Sequence, residues 1–303
     1  MNYEKVLLSP GGPAVSPIVT GVMKWGLWGR QMDTAQMLRL IEASVEAGAT
    51  TFDHADIYGH YTTEAEFGAA LKNRPELRSR IQLVTKCGIC LPGPHRQYGL
   101  KHYDTSAAHI RRSTEQSLRN LHTDYIDLLL IHRPDPLMHP QEVAETFEAL
   151  RSEGKVLHFG VSNFSPAQLE TLAAFTPVVT NQVQANAMHL APFSDGTFDQ
   201  CLQKGIRPMA WAPLGGERFF THPDDPQVSR VRTACETIAA SREGIHSDQV
   251  MLAFLLRHPA GIVPVIGTGN AERIQSSMKA LDIRLSREEW FSIWTASSGR
   301  EVD

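Results

Sequence analysis

Cysteine is scarce in this chain. Four stand among 303 residues, at positions 87, 90, 201 and 235, too sparse for a disulfide framework, so reduced thiols are the default. Runs of lysine or arginine are missing too, and the net charge is -4, which disfavours nucleic acid as a partner because nothing tracks a phosphate backbone. No apolar stretch approaches the length of a membrane span. The opening "MNYEKVLLSPGG" carries an acid early and only a three-residue apolar run, unlike a secretory signal. A cytoplasmic protein with no membrane partner is expected. The chain also lacks any shift in composition or any linker rich in proline, glycine and serine, so a single domain over residues 1–303 is expected.

What is present is a repeating alternation. A hydrophobic fraction of 42% with 20% charged residues is ordinary for a folded protein with a sizeable core. Short β-branched or apolar runs at 17–23, 50–54, 81–86, 125–132, 156–162, 178–184, 206–212 and 261–267 alternate with segments of helical spacing. Helix starts are marked by Asp33, Thr105, Pro140, Ser165 and Asn270, and Gly48 and Gly154 sit where helices would stop. Eight strand-helix units in about the length of one α/β barrel predict a closed (β/α)8 TIM barrel. A doubly wound open sheet is the alternative that the pattern also permits. Residues 3–19 predict a β-hairpin, turning at Ser9 to Pro13, that plugs the barrel's bottom. Two extra helices fall between strands seven and eight, and one more at the C-terminus.

In such a barrel the chemistry sits at the carboxyl ends of the strands, where the last inward-facing side chain is the one to read. Alternation puts Gln82, Val84 and Lys86 inward on strand three, and Leu128, Leu130 and His132 on strand four, while strand two ends on Asp53. Tyr58 follows in the next loop. Each residue alone reads as a cap or a solvated rim; four that converge on one mouth read as a site. A phenol titrates near 10 in water, and a neighbouring ammonium lowers that value by about 1 to 3 units, so Lys86 is expected to tune Tyr58 into a proton donor. Asp53 supplies the counter-charge that keeps a buried ammonium protonated, and His132 places a substrate oxygen beside the phenol. Reduction of a carbonyl fits that arrangement.

With Asp53, Tyr58, Lys86 and His132 in this order on eight strand-helix units, the chain resembles the aldo-keto reductases, nicotinamide-dependent carbonyl reductases built on a (β/α)8 barrel. The motifs "FDHADIYG", "VTKCG", "LLLIHRPD", "GKVLHFGVSNF", "TNQVQ" and "AWAPLGG" carry the resemblance from about Gly21 through Ser277. It implies that those four residues are the catalytic tetrad, with Tyr58 as general acid. It also implies that Ser162, Asn163 and Gln182 hold the nicotinamide carboxamide and that Trp211, where a tyrosine is usual, stacks on the ring. Backbone amides of Leu214, Gly215 and Gly216 would meet the pyrophosphate. Gly267, Thr268, Gly269 and Asn270 would form an anion-favouring helix start, with Arg273 pairing with an adenosine 2'-phosphate.

The chain departs from that pattern in three places. Gly267 and Thr268 stand where many relatives carry lysine and serine, and Ser277 where they carry asparagine. NADPH is therefore favoured through Arg273 and local amides, with NADH as the other possible cofactor. Trp25, like the family's aromatic in that region, is expected to wall the substrate pocket, with Trp28 as a second candidate. The loop "LPGPHRQYGLKHYD" and Phe219 and Phe220 are further candidates for contact with a small-molecule carbonyl substrate. Two other readings stand beside this one. A cofactor-binding regulatory or sensor subunit can use the same fold, and Cys87 and Cys90 with His95 and His102 have spacing that a metal-dependent barrel hydrolase could use, although no metal is expected at the site. The oligomeric state is not legible in the sequence.

Overall fold

Eight short parallel strands close on one another in chain order in the computed structural model, which describes residues 3–303. They are β1 (Val19–Gly21), β2 (Thr51–Asp53), β3 (Gln82–Cys87), β4 (Ile126–Ile131), β5 (Val156–Ser162), β6 (Asn181–Gln184), β7 (Met209–Trp211) and β8 (Val263–Ile266). Closure is carried by Val265 opposite Val19 and Ile266 opposite Thr20. Every run expected to be a strand coincides with one of the eight, β3 reaching one residue past its run, and closure removes the open-sheet alternative. Several strands are shorter than their runs; β7 begins only after Pro208, which has no N–H to give a ladder.

The helices are α1 (Thr34–Glu46), α2 (Thr63–Lys72), α3 (Ala107–Leu121), α4 (Pro140–Ser152), α5 (Pro166–Ala173), α6 (Thr197–Lys204), α7 (Arg218–Thr221), α8 (Pro226–Ala240), α9 (Ser247–Leu256), α10 (Ala271–Met278) and α11 (Arg287–Ser298). Asp33 and Ser165 cap α1 and α5 through reciprocal capping boxes, and Asn270 caps α10. Two expected starts shift by one residue. Ser106 caps α3, because the Thr105 hydroxyl and amide are spent on Asp135 Oδ2. Pro140 is the first helical residue of α4, behind the His139 ring that accepts from Glu142 N. The extra helices are α8 and α9 before β8 and α11 at the end, where Trp290 stacks on Phe254 with ring centroids 4.7 Å apart.

Side-chain alternation builds the core in two shells. Val19, Val84, Leu128, Leu130, Met209, Val263 and Val265 fill the barrel interior, while Leu129, Phe159 and Val161 face the helices. Gly160 is required by this packing: a Cβ there would lie 2.7 Å from Leu130 Cδ2 and 2.9 Å from Thr180 O. The expected hairpin is present, Val6–Leu7 pairing with Ala14–Val15, and its Leu8 and Val15 are buried against the same interior layer, closing the amino end of the barrel. The opposite end is left for chemistry. Among the described residues, no helix is long and apolar enough to cross a membrane.

Candidate active site

The four ionisable groups expected to converge do so. Lys86 points inward near the end of β3 and uses all three of its N–H donors: Asp53 Oδ2 at 2.6 Å, the His54 carbonyl at 2.7 Å and Tyr58 Oη at 3.2 Å. His132, one residue beyond β4, is tied down by its own N–H to Cys87 O at 2.8 Å, and its ring stands edge-on to Tyr58 with centroids 6.1 Å apart.

The backbone explains how Tyr58 gets there. After β2 the chain stays pinned to β3 through His54 N to Val84 O and Asp56 N to Lys86 O, then turns at Ala55 to Tyr58. Three successive residues take left-handed conformations: Gly59 at φ 60°, His60 at 55° and Tyr61 at 74°. A bulky residue in that region is strained. Tyr61 is held there by its phenol, which accepts from Leu91 N at 2.7 Å, and by Arg96 lying 4.6 Å above its ring. The turn returns through Thr62 N and Thr63 N to Tyr58 O and enters α2.

Burial sets the charge states. Lys86 and Asp53 are only 1% and 3% exposed. Burial works against the Lys86 ammonium, but the Asp53 carboxylate and the Tyr58 oxygen hold its pKa above the ordinary lysine value. The expected lowering of Tyr58 does not hold as a net effect: burial pushes the phenol above its ordinary value, Lys86 pulls it part of the way back, and Asp53 opposes Lys86. Desolvation of a phenolate outweighs an ammonium whose charge is largely spent on a carboxylate. His132 is kept well below the usual histidine range by burial, with Lys86 and Arg133 adding to it, so its ring is neutral. Buried His54 is held down to about 3 by burial and Lys86, and its ring packs on Phe67 at 4.5 Å.

Beside this cluster the polar residues at the ends of β5, β6 and β7 form a ladder. Trp211 Nε1 donates to Asn163 Oδ1 at 2.9 Å, Asn163 Nδ2 to Ser162 Oγ at 2.7 Å, and Ser162 Oγ to the Gln182 carbonyl at 2.9 Å. Asn163 accepts a left-handed φ of 59° to reach it. Gln182 itself turns inward, donating Nε2 to Asp53 Oδ1 at 2.8 Å. Sequence reasoning missed that contact, because strand alternation shows which side a residue faces and not which partner its amide finds across the barrel. A groove of about 570 Å³, lined by Arg133, Asn163, Gln184, His189 and Trp211 among others, runs alongside the ladder; none of the four converging groups lines it.

The aldo/keto reductase family profile matches residues 17–297. The chain belongs to the aldo/keto reductase family. It is 48% identical over 290 residues to the uncharacterized oxidoreductase YcsN of Bacillus subtilis, covering 95% of this chain and 96% of that one. It is 43% identical over 285 residues to a 6-dehydroglucose reductase of Agrobacterium fabrum, covering 92% and 94%. A crystal structure of an aldo-keto reductase from Klebsiella pneumoniae in complex with NADPH superposes with a TM-score of 0.75 at 28% identity, over 96% of this chain and 94% of that one.

In this aldo-keto reductase the two loops expected to meet cofactor phosphates are built differently. After β7, Gly215 lies at φ 71° and gives its amide to Ala212 O at 2.9 Å, closing a turn, so that amide is not free for a pyrophosphate as expected; Leu214 and Gly216 flank it. A Cβ at Gly215 would lie 2.0 Å from Met188 Cε. After β8, the Asn270 amide is taken by Thr268 Oγ1 at 3.2 Å and its side chain by Arg273 N at 2.9 Å, while Gly267 is exposed. Arg273 is exposed on the first turn of α10, and among the described residues it makes no ion pair. Arg30, unnoticed in the sequence, reaches across from the β1–α1 loop to Gly269 O at 2.6 Å.

Two expectations about aromatic residues are corrected. Trp25 has no exposed surface: it packs among Phe52, Phe67 and Ile266, and its Nε1 donates to Thr268 O at 3.0 Å. It braces the β8 loop instead of walling a pocket. Trp28 is half-buried, with its ring 6.1 Å from that of Tyr58. Phe219 is likewise core, while Phe220 is exposed. The C-x-x-C pair splits between layers. Cys87 faces the helices among Ile110, Ile131 and Val161, and Cys90 lies three residues beyond the end of β3; both are free thiols.

Proposed function

We propose that this aldo-keto reductase reduces an aldehyde or ketone to the alcohol with NADPH as hydride source, Tyr58 being the proton donor. The observation that carries the reading is the buried Lys86 ammonium bound at once to Asp53 and to the Tyr58 hydroxyl. Ser162, Asn163 and Trp211 are the residues to hold the nicotinamide, and Arg273, which makes no ion pair among the described residues, suits a 2'-phosphate. The half-exposed Trp211 ring, fixed by Asn163, is a platform for a flat group. When bound, the reduced nicotinamide supplies the hydride.

The rest of the work falls to the chain. As the carbonyl oxygen gains negative charge, Tyr58 Oη gives up its proton to it, and Lys86 stabilises the phenolate left behind. Burial, which holds the phenol above its ordinary value, keeps that proton in place at neutral pH, so the donor is loaded before each turnover. Asp53 keeps Lys86 charged and aimed, and Gln182 keeps Asp53 aimed. Neutral His132 offers a hydrogen bond that orients the substrate oxygen without adding a positive charge. We place the protein in the cytoplasm, where its four unpaired cysteines stay reduced.

A relative named 6-dehydroglucose reductase makes oxidised hexoses the first carbonyl compounds to try. The test is oxidation of NADPH and NADH against 6-dehydroglucose, simple aldehydes, ketones and dicarbonyls. Rapid turnover of at least one aldehyde, faster with NADPH, is expected. Tight cofactor binding with no turnover across the panel would instead support a sensor subunit.

A further inference from the structure

Beyond β3 the chain doubles back. Ile89–Cys90 pairs antiparallel with His102–Tyr103, and the chain then passes through Asp104 into α3. At the base of this hairpin a thiol, a carboxylate and an imidazole meet: one donor atom each from Cys90, Asp104 and His109 lie within 4.8 Å of one another. We propose that Cys90, Asp104 and His109 form a binding site for Zn2+, separate from the carbonyl chemistry at Lys86 and Tyr58.

The distances favour it. Tetrahedral zinc with bonds of about 2.3 Å to sulfur and about 2.0–2.2 Å to nitrogen and oxygen puts those donors roughly 3.4–3.6 Å apart. Here Cys90 Sγ is 3.9 Å and Asp104 Oδ2 3.6 Å from His109 Nδ1. For these two pairs coordination needs shifts of only a few tenths of an ångström, and the Cys90 and Asp104 donors lie within 4.8 Å of each other. Two of the donors are already fixed by the start of α3. Ser106 donates its amide at 3.0 Å and its hydroxyl at 2.6 Å to Asp104 Oδ1, leaving Oδ2 for the metal, and its hydroxyl accepts from His109 N at 3.3 Å. The Asp104 backbone is pinned through its N–H to Gly88 O at 3.0 Å.

The donor set suits the ion. Sulfur, nitrogen and oxygen together select a borderline metal, and a thiolate with a carboxylate balances its charge. Binding releases the Cys90 thiol proton to water as the Zn–S bond forms. The Asp104 side chain, about one-third exposed, gives the ion a way in, and a water completes the four ligands. Cys87, His95 and His102 are not part of the group. The site ties both ends of the 91–101 loop to α3, next to the mouth.

The test is a titration of chelator-treated full-length protein with Co2+, followed by absorption, and then competition with Zn2+. One equivalent should bind with a thiolate-to-cobalt charge-transfer band and tetrahedral ligand-field bands, and Zn2+ should displace it and raise the melting temperature. Cys90→Ser should lose the charge-transfer band, and Cys90→Ser, Asp104→Asn and His109→Gln should each weaken Zn2+ at least about tenfold, while NADPH-dependent reduction measured without metal stays intact and certifies the fold. A six-coordinate spectrum without the thiolate band, as exposed His95 and His102 would give, overturns the proposal. So does Zn2+ affinity unchanged in Cys90→Ser or, should that variant not fold, in Asp104→Asn.

Discussion

Replacing Lys86 with methionine removes one charge from the site while roughly keeping the length of the side chain. The ammonium is 3.2 Å from Tyr58 Oη and 2.6 Å from Asp53 Oδ2. With a tetrahedral angle at nitrogen, the two oxygens are roughly 4.7 Å apart. At an effective dielectric constant of about 20, a phenolate gains about 5 kcal/mol from Lys86 and loses about 3.5 to Asp53. Lys86→Met removes the first of these and leaves the second in place, so the phenolate loses about 5 kcal/mol of stabilisation. Turnover under saturating NADPH should fall about 1000-fold or more, read as single-turnover oxidation of NADPH with a good aldehyde. The same substitution leaves buried Asp53 without its counter-charge, which costs about 3–5 kcal/mol of stability. Adding Asp53→Asn should recover much of that stability and part of the turnover, because the repulsion of about 3.5 kcal/mol goes with the Asp53 charge. Near-wild-type chemistry in a folded Lys86→Met protein, or a deficit abolished by more NADPH, would refute the reasoning.

Three further outcomes follow from the same geometry. The Asp56 carboxyl is pushed up to about 8 by burial, against the Ser113 hydroxyl that donates to it; the native state thus holds that proton more tightly than the unfolded chain, and stability present below about pH 4 is lost as pH rises to about 8, on the order of 5 kcal/mol in all. Asp56→Asn should therefore flatten the decline, seen as a urea midpoint advantage that grows between pH 5 and 9, and an advantage independent of pH would contradict the argument. Arg273→Ala should raise the Kd for NADPH about tenfold and leave that for NADH unchanged, measured by fluorescence titration. Trp25→Ala should cost about 3–5 kcal/mol of stability in urea as a core deletion, whereas Trp28→Ala should cost far less and act on KM for substrate.

The barrel was legible because each strand-helix unit repeats the same physical demand: alternate side chains on a strand, a stripe on a helix, a cap between them. Val84 and Lys86 inward with Cys87 outward follow from a period of two and nothing else. The convergence of Asp53, Lys86 and His132 was legible for the same reason, since alternation carries to the carboxyl ends of β2, β3 and β4, with Tyr58 following in the loop after β2. Trp25 was not, because the β1–α1 loop has no period and a tryptophan there can turn to the core or to the mouth. The net rise of Tyr58 was hidden too, because a pKa depends on how much water is excluded, and burial is a property of the closed barrel. Gln182 on Asp53 and Arg30 on Gly269 O join residues 129 and 239 positions apart, and no local pattern announces such pairs.

The central claim is that the Tyr58 hydroxyl gives its proton to the reduced carbonyl. Tyr58→Phe deletes that one oxygen, so the most direct measurement is kcat of the variant on its best aldehyde beside its Kd for NADPH. The account predicts a Kd close to wild type and a kcat lowered by at least about 100-fold. A folded Tyr58→Phe protein that turns over within a few-fold of wild type would contradict it.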